Sequence, residues 1–107
     1  MALQHARQGQ VIDVQPYGAA IRDAQSIALF KSDQIEVMRL VFPAGHHMPT
    51  HKVPGEITIQ CLEGRVDVDV AGRVTPLAAG QLLFVQGGVE HALSGIEASS
   101  VLVTIVL

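Results

Sequence analysis

The stretch PAGHHMPTHKVPGEITIQCLEGRVDVDV, residues 43–70, carries the strongest fold signal in this chain. Within it, residues 56–61 and 65–70 alternate polar and apolar side chains with a period of two. Such alternation is typical of a β-strand with one buried and one solvated face. The pair Glu63–Gly64 between the two runs is typical of a turn. The stretch therefore predicts two consecutive strands joined by a turn.

The same rhythm continues on both sides of this stretch. Further runs rich in Val, Ile, Leu and Thr occur at residues 26–30, 34–42, 81–85 and 99–107. Short strands separated by frequent Gly, Pro, Ser and Asp turns are typical of an antiparallel sandwich or barrel. We therefore predict a single all-β domain with a barrel over residues 26–107. Residues 1–25 are interpreted as a loose N-terminal arm or as an edge strand at a dimer interface.

Length and composition favour one small domain that associates with itself. The 107 residues fit a single domain, and at 49% hydrophobic and 16% charged they are more apolar than an average soluble protein. A monomer of this size can bury only part of that apolar content, so we expect a homodimer.

Charge and hydropathy argue against two classes of partner. The net charge of −3, with scattered Lys and Arg, provides no basic stripe for nucleic acid. No apolar run approaches the length of about 20 residues that spans a bilayer, and the first ten residues contain no secretory signal. We expect a cytoplasmic protein that binds neither nucleic acid nor membrane. The remaining basic residues, Arg39 among them, are expected to be solvated.

Histidines flank the predicted strand pairs and are the candidates for chemistry. His46, His47 and His51 lie within residues 43–70. His91 lies in the second informative stretch, GQLLFVQGGVEHALSG, residues 80–95. Imidazole is a common metal ligand and titrates near neutral pH, so we expect a functional site to include some of these histidines.

The two stretches resemble the two sequence motifs of the cupin superfamily. The matching positions are Gly45, His51 and Gly64 in the first motif and Gly80, Gly88 and His91 in the second. The likeness is strongest to small single-domain cupins. It implies a jelly-roll barrel with His51 and His91 directed into the lumen, their ring nitrogens about 3–4 Å apart if they share one metal ion.

The resemblance also implies a divalent metal ion, but this chain departs from the ligand pattern. Metal-binding cupins use two histidines and a glutamate from the first motif and a histidine from the second. Here Val53 replaces the second histidine and Ile57 replaces the glutamate, so that only His51 and His91 remain. Metal sites in proteins usually have three or four protein ligands.

Two residues are candidates for a third ligand. His47 shares a strand face with His51 if the intervening chain is regularly extended. Glu56 is one residue from the glutamate position and is predicted to point away from the lumen, unless a bulge near Pro54–Gly55 turns it inward. The second alternative would give a two-histidine, one-carboxylate set, as in non-haem Fe(II) oxygenases.

The predicted pocket is the barrel lumen around the two motif histidines. Its expected wall comprises Val53, Ile57, Ile59 and Cys61, and Cys61 is interpreted as a small core residue. Our leading hypothesis is a small-molecule pocket with one divalent ion (Fe, Mn, Ni or Zn) for dioxygenase- or isomerase-type chemistry. Two alternatives remain open: a metal-free enzyme with histidine as general base, and a non-catalytic barrel that binds or senses a small ligand.

Overall fold

The computed structural model describes residues 5–107, so the first four residues of the predicted arm lie outside it. The described chain begins with an extended segment and a 3-10 helix, Gly18–Asp23. Nine strands follow: β1 (Ile27–Lys31), β2 (Ile35–Phe42), β3 (His47–His51), β4 (Ile57–Glu63), β5 (Arg65–Val70), β6 (Arg73–Ala78), β7 (Leu82–Val85), β8 (His91–Gly95) and β9 (Ser99–Val106). The predicted all-β domain is confirmed.

The strands form two antiparallel sheets. The larger sheet has the order β1-β2-β9-β4-β7, and the smaller has the order β3-β8-β5-β6. Consecutive strands often lie in different sheets, which is the connectivity of a jelly roll. None of the helices within residues 5–107 is long and apolar enough to cross a membrane.

The two strands predicted within residues 56–70 are present as β4 and β5, which do not pair with each other because they belong to different sheets. Gly64 makes the sharp turn between them with a φ of 76°, a conformation that favours glycine. A Cβ at this position would lie 2.3 Å from the carbonyl oxygen of Ala98, so a side chain has no room there. This turn moves the chain from one layer of the barrel to the other.

The core lies between the two sheets. Ile59 and Val101 of the larger sheet and Val66, Val68 and Leu93 of the smaller sheet are almost fully buried in one apolar cluster. Each such side chain contributes roughly 1.5–3 kcal/mol by leaving water. The alternation of the strands thus places one face of every central strand in this cluster.

The expectation that Arg39 is solvated is wrong. Its neighbours Met38 and Leu40 face the lumen, so Arg39 lies on the opposite face of β2, yet its side chain is only 3% exposed. The guanidinium group is 3.0 Å from the Glu63 carboxylate, and the Tyr17 ring stacks on it at 3.8 Å. The arm covers Arg39. No periodicity in the sequence indicates that this side chain is buried.

Glu63 fastens the arm to the larger sheet. Its carboxylate accepts hydrogen bonds from the backbone N–H groups of Tyr17 and Gly18, from the Ser100 hydroxyl at 2.6 Å and from Arg39. Burial by itself would raise the pKa of Glu63, but these hydrogen bonds outweigh burial and hold the pKa below its ordinary value. Residues 15–18 therefore pack against their own chain through a buried charged cluster.

Candidate functional site

The two motif histidines meet at one end of the barrel. His51 is the last residue of β3 and His91 is the first of β8, and the antiparallel pairing of these strands sets them directly opposite each other. Their ring centroids are 4.3 Å apart and the ring planes are inclined by 57°. His91 is buried at 3% exposure, whereas His51 is exposed. The pair thus reaches from the solvent into the barrel.

The two rings form part of the wall of a cavity of about 100 Å³ between the sheets. The rest of the wall consists of the thioethers of Met38 and Met48 and of aliphatic side chains from β2, β4, β8, β9 and Val53. Among the residues that the structure describes, no Asp, Glu or Cys lines this cavity. An apolar cavity of about 150 Å³ in another protein binds benzene, which has six heavy atoms, so this smaller space fits a molecule of about four heavy atoms.

Backbone carbonyls fix the protonation pattern of both imidazoles. Nδ1 of His91 lies 3.1 Å from the Val89 carbonyl oxygen, and Nδ1 of His51 lies 3.3 Å from that of Pro49. A carbonyl only accepts, so each Nδ1 carries the proton and donates it. In the neutral ring Nε2 is then unprotonated. It can accept a hydrogen bond, take up a proton or bind a metal ion.

A bulge in β3 explains why His47 does not join the pair. The register shifts between Met48 and His51, so that two residues of β3 lie opposite the single residue Ala92 of β8. The extra residue inverts the alternation, and Met48 rather than His47 faces the lumen together with His51. His47 is exposed, and its Nδ1 lies 2.7 Å from the Ser94 hydroxyl.

Glu56 is not brought to the imidazoles either. It is exposed, and it precedes Ile57, whose side chain is buried in the cavity wall, so the two residues take opposite directions. Within residues 5–107, no three His, Cys, Asp or Glu side chains lie close enough together to hold a metal ion. The structure therefore forms neither of the three-ligand sets considered from the sequence.

Three of the four expected wall residues line the cavity, namely Val53, Ile57 and Ile59. Cys61 lies outside the wall, fully buried, and its thiol donates to the carbonyl oxygens of Glu63 and Gly64. Burial raises the pKa of the Cys61 thiol above its ordinary value, which disfavours the reactive thiolate. Cys61 is a core residue here.

The sequence reasoning did not identify the two methionines of the wall. Met38 alternates with Arg39 on β2, and a regular strand places it beside Leu40 in the lumen. That periodicity was available in the sequence for Met38. It was not available for Met48, because its inward direction depends on the bulge.

Comparison with known proteins supports this architecture. A family model described as "Cupin domain" matches residues 38–106, which is more than half of the chain. The chain belongs to the cupin family. No curated protein matches this cupin by sequence.

Solved structures from several bacteria share its fold. A conserved protein of unknown function from Streptococcus pyogenes is 18% identical, with 99% of this chain and 94% of that one covered and a TM-score of 0.75. An RmlC-like cupin from Desulfovibrio desulfuricans is 23% identical, with 99% and 97% covered and a TM-score of 0.70. A cupin superfamily protein from Desulfitobacterium hafniense is 20% identical, with 97% and 84% covered and a TM-score of 0.74. At these identities the likeness concerns the fold alone.

Proposed function

We propose that this cupin binds a small, largely apolar organic molecule in its lumen, with one polar group of the ligand held by His51 and His91. The observation that carries the proposal is the pair of imidazoles in the wall of an otherwise apolar cavity. Two imidazoles with acceptor Nε2 atoms in an otherwise apolar wall favour a ligand with one hydrogen-bond donor and a compact hydrocarbon body. The volume limits that ligand to about four heavy atoms.

A divalent ion such as Fe, Mn, Ni or Zn does not fit the donors of this cavity. Two imidazoles are fewer than the three or four protein ligands that such ions usually take, and residues 5–107 place no carboxylate in the wall. We therefore assign the two histidines to direct contact with the organic ligand. Their Nδ1–carbonyl hydrogen bonds keep the rings oriented for that contact.

The proposal is tested with a matched pair of probes, 2-propanol and propane, added to the full chain with labelled Met methyl groups and His rings. In NMR spectra we expect both probes to shift the Met38 and Met48 methyl signals. Only the alcohol should shift the ring signals of His51 and His91. Probes that leave all four side chains unshifted at millimolar concentration would contradict the proposal.

A variant pair separates lumen binding from surface binding. Val53→Phe fills the cavity and should abolish the shifts, because Val53 is part of its wall. Val74→Phe adds the same ring at an exposed position of β6, 56% exposed in the native chain, and should leave them unchanged. Equal binding by the two variants would place the probe outside the lumen and overturn the assignment.

We also propose that the chain forms a homodimer through the outer face of its larger sheet. Leu82 and Phe84 of β7 lie opposite Gln60 and Thr58 of β4, and all four point away from the core. Leu82 is 61% and Phe84 is 53% exposed, at the edge of the sheet. An exposed apolar edge favours association, and a symmetric pair covers the same patch on both copies.

A further inference from the structure

We propose that a groove beside the lumen is a second subsite, in which Glu36 holds the cationic group of an aliphatic amine whose other end lies in the lumen. The inference rests on the proposed function and extends it to the class of ligand. The limit of about four heavy atoms applies to the part of the ligand inside the lumen. A ligand that also occupies the groove is longer by the part that lies there.

The groove is directly adjacent to the lumen. Its volume is about 340 Å³, and its wall includes Val53 and Ile105, which also line the lumen. These two aliphatic side chains therefore form the boundary between the two spaces, and a hydrocarbon chain can pass along them from one to the other. The rest of the groove wall consists of Glu36, Pro54, Gly55, Val106 and Leu107.

The register of the larger sheet places Glu36 at this boundary. Glu36 lies two residues before Met38 on β2, so it is on the same inward face, about 7 Å further along the strand. On β9 its direct partner is Ile105, which in turn lies opposite Ile57 of the lumen wall. Glu36 thus continues the inward row of β2 from the lumen into the groove.

The carboxylate of Glu36 has no cation of its own chain bonded to it. The ion pair formed within residues 5–107 joins Arg39 to Glu63 on the other face of the sheet. Lys31 lies opposite Glu36 on β1, but it is exposed and is not paired with it. Glu36 is half-buried beside an apolar wall. A carboxylate only accepts hydrogen bonds, and its strongest partner is a charged donor, so an ammonium group complements this position.

Backbone contacts hold the boundary in place. Gly55 packs directly against the carbonyl group of Val106, and a Cβ at Gly55 would overlap that carbonyl. The N–H of Val106 donates to the Glu56 carbonyl oxygen at 2.9 Å, and the N–H of Gly88 donates to the Val53 carbonyl oxygen at 2.8 Å. The segment that carries Val53 is therefore bonded on two sides. The lumen and the groove are thus formed before a ligand binds, as is usual for small-molecule sites.

These features define the class of ligand. One end carries a neutral donor such as a hydroxyl group for the imidazoles, a short hydrocarbon chain crosses the boundary, and the other end carries an ammonium group. The distance of about 7 Å between the positions of Met38 and Glu36 on β2 is comparable to the length of an extended pentyl chain. The amino alcohol 5-amino-1-pentanol has this composition. Its neutral counterpart is 1-hexanol, in which a methyl group replaces the ammonium group.

The test measures the dissociation constants of both compounds from the shifts of the Met38 and Met48 methyl signals of the full chain. Glu36→Gln should weaken binding of the amino alcohol about tenfold, because the charge-assisted hydrogen bond is lost, and should leave 1-hexanol unchanged. Glu97→Gln is the matched control. It removes an exposed carboxylate beyond the opposite end of β9 and should leave both constants unchanged.

A charge reversal provides a readout that a merely structural role of Glu36 would not move. Glu36→Lys should reverse the preference, so that 6-hydroxyhexanoate binds more tightly than the amino alcohol. An equal loss for both compounds in Glu36→Gln, or the same loss of amino alcohol binding in Glu97→Gln, would overturn the subsite.

The probe 2-propanol separates this inference from the proposed function, because it fits within the lumen. Methyl shifts with 2-propanol, together with an unchanged affinity of Glu36→Gln for the amino alcohol, would refute the groove subsite alone. If 2-propanol shifts none of the lumen signals of the wild type, the proposed function fails, and the subsite fails with it.

Discussion

Val53 stands where a third imidazole would complete a divalent metal site. It lines the cavity with His51 and His91, so its side chain already points to the right place. The wall therefore offers two imidazoles and, at position 53, an aliphatic side chain in place of a third donor. At this residue the difference between a binding pocket and a metal centre is a single side chain.

Val53→His is expected to strengthen the binding of Ni(II) or Zn(II) to the cavity. A third imidazole in the same cavity should tighten the affinity at least about tenfold over the wild type, measured by isothermal titration calorimetry. Glu56→His adds an imidazole at an exposed position three residues later and should leave the affinity unchanged. The same gain in both variants would mean that the ion binds outside the lumen.

Glu63 makes the free energy of unfolding depend on pH in the acid range. Its folded-state pKa is lowered, so its contribution is fully present above its ordinary value of 4.5 and is lost as the pH falls through the lower folded value. Glu63→Gln leaves Arg39 buried without its partner, and we expect it to reduce the free energy of unfolding by about 2–3 kcal/mol near neutral pH.

Urea unfolding at neutral pH and at about pH 3 measures this effect. The gap between the wild type and Glu63→Gln should narrow in acid. Below pH 4.5 the unfolded chain takes up a proton at Glu63 more readily than the folded protein does, which lowers the free energy of unfolding of the wild type. Glu56→Gln, at an exposed carboxylate, should stay within about 0.5 kcal/mol of the wild type at both pH values. A gap that stays constant with pH would refute the role assigned to the Glu63 charge.

At the scale of single residues, the sequence predicted side-chain positions that follow from a motif spacing. It did not predict burial that depends on a contact between distant parts of the chain. The spacings around Gly45 and Gly80 identified His51 and His91, and the structure brings these two rings together. The burial of Arg39 could not be predicted, because it depends on the arm, which is distant along the chain and has no periodic pattern.

Residues 15–18 of the arm are attached to the barrel by few contacts. The stacking of the Tyr17 ring on the Arg39 guanidinium and the bonds to Glu63 connect residues 15–18 to the sheet. A desolvated cation–π contact contributes up to about 2 kcal/mol. The attachment of residues 15–18 therefore depends on one aromatic ring as well as on one carboxylate.

Tyr17→Ala should loosen the arm while the barrel stays folded. We expect hydrogen exchange at the amide of Gly18, which donates to Glu63, to accelerate about tenfold, whereas amides of β4 and β9 should keep their rates. Tyr17→Phe retains the ring and serves as the control with native exchange. Acceleration throughout the barrel would show that the arm is part of the cooperative core instead.

For regular strands, the inward or outward direction of the side chains could be predicted, because burial alternates with a period of two residues. The alternation in residues 56–61 gave the inward direction of Ile57 and Ile59, which the structure bears out by their burial. In β3 the same rule selected His47 and missed Met48, because one extra residue changes the parity of the strand. A bulge of this kind leaves no compositional signal in the stretch HMPTH.

At the scale of the whole molecule, the cupin barrel followed from strand rhythm, turn residues and two glycine–histidine motifs. These signals are local and repeat along the chain, so a single sequence contains enough of them. Association is different, since it depends on which apolar side chains the fold leaves outside. The sequence contains a surplus of apolar residues, from which we predicted a homodimer. The homodimer remains a prediction.

Leu82→Lys is expected to convert the proposed dimer into a monomer, because it places a charge on the exposed apolar edge formed by β7. Light scattering after size-exclusion chromatography gives the mass directly. Val74→Lys makes the same change at a comparably exposed position on β6 of the smaller sheet and should leave the mass unchanged. A wild type that elutes as a monomer at high concentration would refute the interface.

The bulge in β3 gives this barrel a way to change its chemistry without changing a donor side chain. In a regular strand of the same sequence, His47 and His51 would face inward and Met48 would face outward, so that the lumen would hold three imidazoles and one thioether fewer. One residue of strand length then separates a nitrogen-rich cavity from a sulfur-containing one. An insertion or deletion of one residue in β3 therefore changes the donors of the lumen as much as a substitution in its wall.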